Sequence, residues 1–232
     1  MKSPKFSAQT FQYFDQASKN RNKLEWFEKN REKYETTVRE PFSDLVEQIH
    51  QKLQKDLPRV PIQAQSITRP LRPKNRASRE GGLVKDFSHI TICEKRSSLF
   101  EWNPGIHIQF GAKPDDNFVG LGLYMVSSRQ LSLLRQALRD DFEEIDGILS
   151  SRALRKAWGG VQGEKYVRFP KGFDAEDPRN VYLWHKQFYL SRQFKRSEVV
   201  SRTFAKTLCQ DLKVAMPFLA WVRSKVGIYH RN

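Results

Sequence analysis

The sequence predicts an α+β fold, in which a central, mostly antiparallel β-sheet is packed by N-terminal and C-terminal helices. Three observations support this fold class. Apolar residues recur at helical spacing in the first third of the chain, alternate with polar residues in the middle, and return to helical spacing afterwards. The strands are not separated by regular helical crossovers, so a doubly wound parallel sheet is not expected.

The N-terminal third, residues 7–57, is predicted to be helical. Ser7 can cap a first helix, and a second helix is predicted from about Asn22 to Arg39. Because Pro41 lacks a backbone donor, the helix must kink or restart there. The apolar residues that follow form one continuous stripe, at positions 42, 45, 46, 49 and 53. This stripe predicts a helix that faces the core.

The middle of the chain, residues 65–125, is predicted to be rich in strands. The extended segments are 65–71, 89–94, 105–110 and 118–125, and a basic loop joins the first two. Gly120 and Gly122 share one face of the last segment. Paired glycines in a strand indicate the close approach of another element, and we expect core packing there in preference to a ligand.

The remainder, residues 128–230, is predicted to be helical around a Gly-rich basic strand or loop at 159–173. Proline after Asp177 is typical of a helix start, and that helix is predicted to run through Phe188. The final helix is predicted to restart at Pro217. The three regions together are predicted to form a single domain, 1–232.

The sequence also bears on where the protein works. No segment approaches the roughly 18 continuous apolar residues of a membrane span, and MKSPKFSAQTFQYF has no apolar core of a signal peptide. The two cysteines, Cys93 and Cys209, have no metal-binding spacing and suit a reducing compartment as free thiols. We therefore expect a cytoplasmic protein with no membrane partner, and the sequence implies no metal and no cofactor.

The positive charge is concentrated in two segments. The formal net charge is +15. Residues 59–96 carry nine basic and three acidic side chains, and residues 152–206 carry thirteen and five, so these segments hold +14 of that charge. Such a field concentrates anionic partners. If the two segments meet in the fold, they form one basic cleft; if they do not, the charge is diffuse.

These two segments supply the predicted ligand-binding residues. Arginine forks bind phosphate oxygens, and aromatic rings between them can stack on bases. The residues are Arg69, Arg72, Lys85, Lys165, Tyr166, Arg168, Lys186 and Arg192. The sequence thus favours a binding protein for phosphate-rich anionic ligands, with nucleic acid as a candidate partner. A solvated basic surface with ordinary core aromatics is the competing interpretation.

An enzyme is the alternative hypothesis. A hydrolase or transferase could act on a phosphorylated or anionic substrate in the same cleft, with Arg69 and Arg72 holding the charge and Glu164 or His185 as general acid or base. A salt bridge is the competing role for Glu164. No metalloprotease, P-loop, nucleophile-elbow or dinucleotide motif is present, so no enzyme class is specified. A protein-interaction domain without a small ligand is a third possibility.

Three stretches resemble a known family. They are the N-terminal segment containing NRNKLEWFEKNREKY, then DDNFVGLGLYM, and then VQGEKYVRFPKGFDAEDPRNVYLWHKQFYLSR. In this order they resemble the bacterial family called domain of unknown function 2461 over nearly the whole chain. The resemblance implies a single domain and brings no established activity.

The family's signature, Arg-x-x-Arg-Asp-x-Arg-Phe, is only half matched. Arg69 and Arg72 stand at the first two arginines, whereas Pro73, Asn75 and Arg76 stand where the family has Asp, Arg and Phe. The resemblance therefore transfers no complete site to this chain.

Overall fold

The computed structural model describes residues 6–57, 62, 67–94 and 103–226. The α-helices are α1 Ala8–Lys19, α2 Leu24–Lys29, α3 Arg31–Tyr34, α4 Glu40–Leu53, α5 Lys74–Ala77, α6 Ser128–Asp140, α7 Phe142–Ser150, α8 Arg152–Trp158, α9 Arg196–Val199 and α10 Phe204–Val226. The strands are β1 Phe87–Ile92, β2 Gly105–Gly111, β3 Phe118–Leu123 and β4 Phe188–Gln193. They form one antiparallel sheet in the order β1-β2-β3-β4. The predicted α+β class is confirmed.

The predicted second helix is divided in two. Instead of one helix over 22–39, α2 ends before Asn30 and α3 begins after it. The side-chain amide of Asn30 donates to the carbonyl of Trp26 at 2.8 Å, and its backbone N–H points to the same carbonyl. Asparagine competes with the helical backbone in this way, which explains the break that the apolar stripe did not show.

A π-helical turn at Glu35–Arg39 leads into α4, where Pro41 occupies the first turn. A proline at 41 cannot donate to the carbonyl of Thr37, four residues earlier. The hydroxyl of Thr10 donates to this buried carbonyl instead, at 2.7 Å. The helix does not restart at Pro41: the backbone stays helical from Glu35 through Glu40, and a π-helical turn precedes the proline. The hydroxyl of Thr10 in α1 satisfies the carbonyl that Pro41 leaves without a donor.

The predicted middle strands agree with β1, β2 and β3 to within a few residues. The predicted segment 65–71 is not a continuous strand in its described part: Ile67 and Leu71 form isolated bridges, to Ile90 and Val84. Residues 65 and 66 lie outside the described part of the chain. A proline at position 70 removes a donor, which accounts for the interruption.

The predicted helix from Asp177 through Phe188 is wrong. A 3-10 helix occupies only Pro178–Trp184, and Phe188 begins β4. Along β4 the side chains of Phe188 and Leu190 are buried while Tyr189 and Ser191 are half-buried, which is strand alternation. The helical spacing of apolar residues over 181–188 concealed this change of period.

The predicted restart at Pro217 is also wrong, because α10 continues through it for 23 residues. Pro217 leaves the carbonyl of Lys213 without its usual donor. Both residues are exposed, so water can satisfy that carbonyl. The short helix α8 lies in the region predicted to be helical, although the sequence analysis did not separate it as an element.

The described residues pack as two units of discontinuous segments: those of unit 1 fall within 1–92, 107–119 and 193–209, and those of unit 2 within 93–106, 120–192 and 210–232. Phe110 lies at the centre of the unit 1 core, with its ring centroid 5.3 Å from Phe6 and 5.6 Å from Phe204. In unit 2, Phe188 packs 5.5 Å from Phe218.

The predicted single domain 1–232 stays a prediction. Among the described residues, no helix is long and apolar enough to cross a membrane.

Candidate functional site

Residues 162–166 of unit 2 lie antiparallel to residues 184–189, on the outer side of β4; we call them the edge strip. Three backbone hydrogen bonds of 2.8 Å hold the edge strip, from Gln162 to Tyr189, from Lys186 to Glu164 and from Tyr166 to Trp184. The Gly-rich region 159–173 thus contributes two isolated bridges instead of a continuous strand.

Gly163 fixes the path of the edge strip. Its φ is +127°, and a Cβ there would lie 2.9 Å from both the Cβ and the carbonyl oxygen of Gln187. The side-chain oxygen of Gln187 accepts from the N–H of Glu164 at 3.2 Å. A side chain at 163 would be strained and would displace the strip.

Gly122 explains the glycine pair of β3. Its φ is +127°, and a Cβ would lie 2.6 Å from the carbonyl oxygen of Phe188. At Gly120 a Cβ would meet the carbonyl of Leu190 at 3.5 Å. The neighbouring strand β4 makes the expected close approach at Gly122, whereas the contact at Gly120 is an ordinary one and both glycines are half-buried.

The 3-10 helix at 178–184 supports the strip. Asp177 caps it by accepting from the N–H of Arg179 at 2.9 Å, and the Tyr182 hydroxyl donates to Asp146 of α7 at 2.7 Å. The ring of Trp184, at its end, packs 4.8 Å from Phe169. The strip therefore lies against an anchored element.

Two cations flank the ring of Tyr166. The guanidinium of Arg135, from α6, lies 4.9 Å from the ring centroid, and the ammonium of Lys186 lies 5.6 Å from it. Lys186 also pairs with Glu164 at 3.4 Å. Arg135 has no carboxylate partner in the described chain, and its buried Nε has no acceptor there. The ring of Tyr166 thus orients a guanidinium that no carboxylate of the described residues neutralises.

Further cations lie exposed beside this ring. Lys165, Arg168 and Lys171 are exposed, and none of them forms an ion pair with a carboxylate of the described residues. Glu164 is the one acidic residue between 160 and 171. The local charge is therefore strongly positive.

Two tyrosines continue the surface. Tyr124, directly after β3, is 63% exposed, and its ring lies 5.3 Å from that of Tyr189. Burial raises the pKa of Tyr189, and Tyr124 and Glu164 raise it further, so the phenol is neutral at physiological pH. We call the following set the cation–tyrosine surface: Tyr124, Arg135, Lys165, Tyr166, Arg168, Lys186 and Tyr189.

Sequence reasoning missed Tyr124 and Arg135 as site residues. A large aromatic residue directly after a strand, where polar turn residues are common, could have drawn attention to Tyr124. No pattern in the sequence places Arg135 against Tyr166, because 31 positions separate them.

The other basic segment, the loop 69–85 of unit 1, uses its cations differently. Arg72 is buried, donates to the carbonyls of Gly82 at 2.9 Å and Val84 at 3.4 Å, and lies 5.4 Å from the ring of Phe87. Lys85 donates to the hydroxyl of Thr68 at 2.7 Å. Burial lowers the pKa of Lys85, and Arg72 lowers it further.

One carboxylate serves three arginines of this loop. Glu80 lies 3.8 Å from Arg72, 4.0 Å from Arg76 and 3.9 Å from Arg79. Arg69 is exposed and pairs with no described carboxylate. Loop closure occupies Arg72 and Lys85, whereas Arg69, Lys74, Arg76 and Arg79 are exposed.

The N-terminal motif anchors the same loop. Arg21 of NRNKLEWFEKNREKY forms an ion pair with buried Asp86 at 2.6 Å, and its carbonyl accepts from the N–H of Val84 at 2.7 Å. Gly82, with a φ of +107°, leaves no room for a Cβ, which would lie 2.6 Å from the Cβ of Arg21. This motif is structural in unit 1.

Three further predicted residues lie in unit 2. Arg192 pairs with Asp211 at 2.9 Å. Glu164 is exposed and bound to Lys186 as described, which is the competing role expected for it. His185 is buried, and its Nδ1 has no partner in the described chain. Burial lowers the pKa of His185 and Lys165 lowers it further, so the ring is neutral at pH 7. Acid–base roles for Glu164 and His185 stay predictions.

Among the described residues, no group of three or more His, Cys, Asp or Glu side chains could hold a metal ion. Cys209 is a free thiol, and burial raises its pKa to about 11. A thiol with that pKa is protonated and a poor nucleophile at pH 7.

The fold and this surface define an α+β protein with a four-stranded antiparallel sheet and an exposed group of cations and tyrosines. The model of the family described as "Conserved hypothetical protein (DUF2461)" matches residues 9–221, so the chain belongs to that family. No curated protein and no solved structure matches the chain.

Proposed function

We propose that this chain binds phosphate-rich anionic ligands in the cytoplasm, and that nucleic acid is the partner its cation–tyrosine surface suits best. One observation supports the proposal above all: Arg135 is held against Tyr166 without a carboxylate partner in the described chain. A cation ordered in this way favours a ligand that supplies the missing negative charge.

The neighbouring cations strengthen this argument. A merely solvating basic surface needs only long, mobile side chains in water. Here Lys186 and Arg135 are half-buried and oriented by the same ring, while Lys165 and Arg168 extend the positive charge along the surface. Guanidinium groups bind phosphate oxygens through paired hydrogen bonds, and tyrosine rings give bases an apolar face.

Salt-dependent binding of mixed-sequence oligonucleotides tests the proposal. We expect fluorescence anisotropy to show DNA or RNA binding at low salt, with the logarithm of the association constant falling linearly with the logarithm of salt concentration. The variant Lys165→Ala/Arg168→Ala, which changes exposed side chains only, should bind about tenfold more weakly and keep its stability. Undetectable binding of DNA, RNA and polyphosphate at low salt would overturn the proposal.

A further inference from the structure

The tyrosines of the cation–tyrosine surface differ from those of a core. Tyr124 is 63% exposed, and Met125 beside it is 53% exposed. A large aromatic ring exposed to this extent contributes little to the stability of unit 2. Its neighbour Tyr189 is half-buried and lies at 61° to it, so this edge-to-face contact orients the ring of Tyr124.

The pair adjoins the cations through the edge strip. Tyr189 is hydrogen-bonded through its carbonyl to Gln162, and Glu164 of the same strip acts on the pKa of Tyr189. Trp184 lies five residues before Tyr189, and its carbonyl accepts from the backbone N–H of Tyr166. Aromatic rings thus lie at both ends of a stretch with cations along it.

We propose that this surface binds single-stranded nucleic acid, with an unpaired base stacked on Tyr124 and phosphates held by Lys165, Lys186 and Arg135. The inference rests on the proposed function and narrows its ligand. Only unpaired bases present a free π-face to an aromatic ring, whereas a duplex presents its phosphates and groove edges. Alternating rings and cations therefore favour single strands over duplexes.

Substitutions at Tyr124 test the inference. Tyr124→Ala should weaken binding of single-stranded oligonucleotides roughly 5- to 150-fold, the loss expected for one base–aromatic stack. Tyr124→Phe, which keeps the ring, should bind like the unchanged protein. Val181→Ala removes another exposed apolar side chain of unit 2 and serves as the matched control. Thermal unfolding confirms that each variant is folded.

An abasic strand of equal length separates stacking from charge. Tyr124→Ala should bind it as tightly as the unchanged protein does, because no base is there to stack. The inference would be overturned if Tyr124→Ala lost the same affinity for abasic and ordinary strands, or lost none for either. It would also be overturned if the unchanged protein preferred duplexes. In each case, salt-dependent binding of nucleic acid would still support the proposed function. Absence of all polyanion binding would overturn both.

Discussion

The loop 69–85 and the segment around the edge strip are both strongly basic, yet their cations differ in their partners and in their exposure. In the loop, Arg72 and Lys85 donate to groups of their own unit, and three arginines share Glu80. Around the strip, Lys165 and Arg168 are exposed and Arg135 lies on a ring without a described carboxylate partner. Charge density alone does not distinguish a cation that closes a loop from one that is free to bind a ligand.

Removing the buried arginine should have the largest effect. Arg72→Ala leaves the carbonyls of Gly82 and Val84 without their donor and exposes Phe87, so we expect a loss of about 2–4 kcal/mol in the free energy of unfolding. Arg69→Ala, an exposed change in the same loop, should stay within about 0.5 kcal/mol. Urea denaturation measures both. Equal, small losses would show that the loop's cations are not structural.

Acid should also destabilise unit 1. Burial, His107 and Lys85 lower the pKa of His89 to about 3. In the unfolded chain His89 is protonated below about pH 6.5, whereas in the folded chain it stays neutral down to about pH 3. Stability is therefore complete above pH 6.5 and falls as the pH drops towards 3, by about 2 kcal/mol from this group at pH 5.

The variant Lys85→Met tests whether the charge of Lys85, in the loop 69–85, contributes to this pH dependence. Removing the charge of Lys85 should raise the pKa of His89 and reduce the stability lost between pH 7.5 and pH 5. Lys74→Met, at an exposed position of the same loop, is the control and should leave the loss unchanged. An identical loss in both variants would argue against an internal role for Lys85.

The smallest effect is expected at Glu164. This exposed carboxylate neutralises part of Lys186 and repels phosphate, so Glu164→Gln should tighten oligonucleotide binding about twofold. Isothermal titration at fixed salt measures the change. Weaker binding, or loss of a catalytic turnover found by screening, would favour the enzyme hypothesis over the binding protein.

The sequence predicted most of the fold because its apolar periods are regular. The apolar residues of α4 keep to helical spacing and those of β2 alternate with polar residues, and both elements lie where expected. The errors fall where two patterns compete: the apolar spacing over 181–188 fits a helix, but Phe188 belongs to β4. Pro217 fits a helix break, but solvent exposure lets α10 continue through it.

The candidate site was less predictable, because tertiary packing decides the role of each cation. Arg72 and Arg168 look equivalent in sequence, since both belong to basic segments with aromatic neighbours. The structure distinguishes them, because Arg72 is buried and donates to carbonyls of its own loop, whereas Arg168 is exposed. Likewise, Arg135 becomes a site residue only because α6 brings it to Tyr166. That the two basic segments form one cleft stays a prediction.

The most direct test compares two double variants with the same change in charge. Lys165→Ala/Arg168→Ala removes two exposed cations beside the strip, and Arg76→Ala/Arg79→Ala removes two exposed cations of the loop. For a single-stranded oligonucleotide, the slope of log K against log salt should become shallower by about 1.4 in the strip variant and stay unchanged in the loop variant. Equal changes in both slopes, or a change in the loop variant alone, would contradict the assignment of binding to the cation–tyrosine surface.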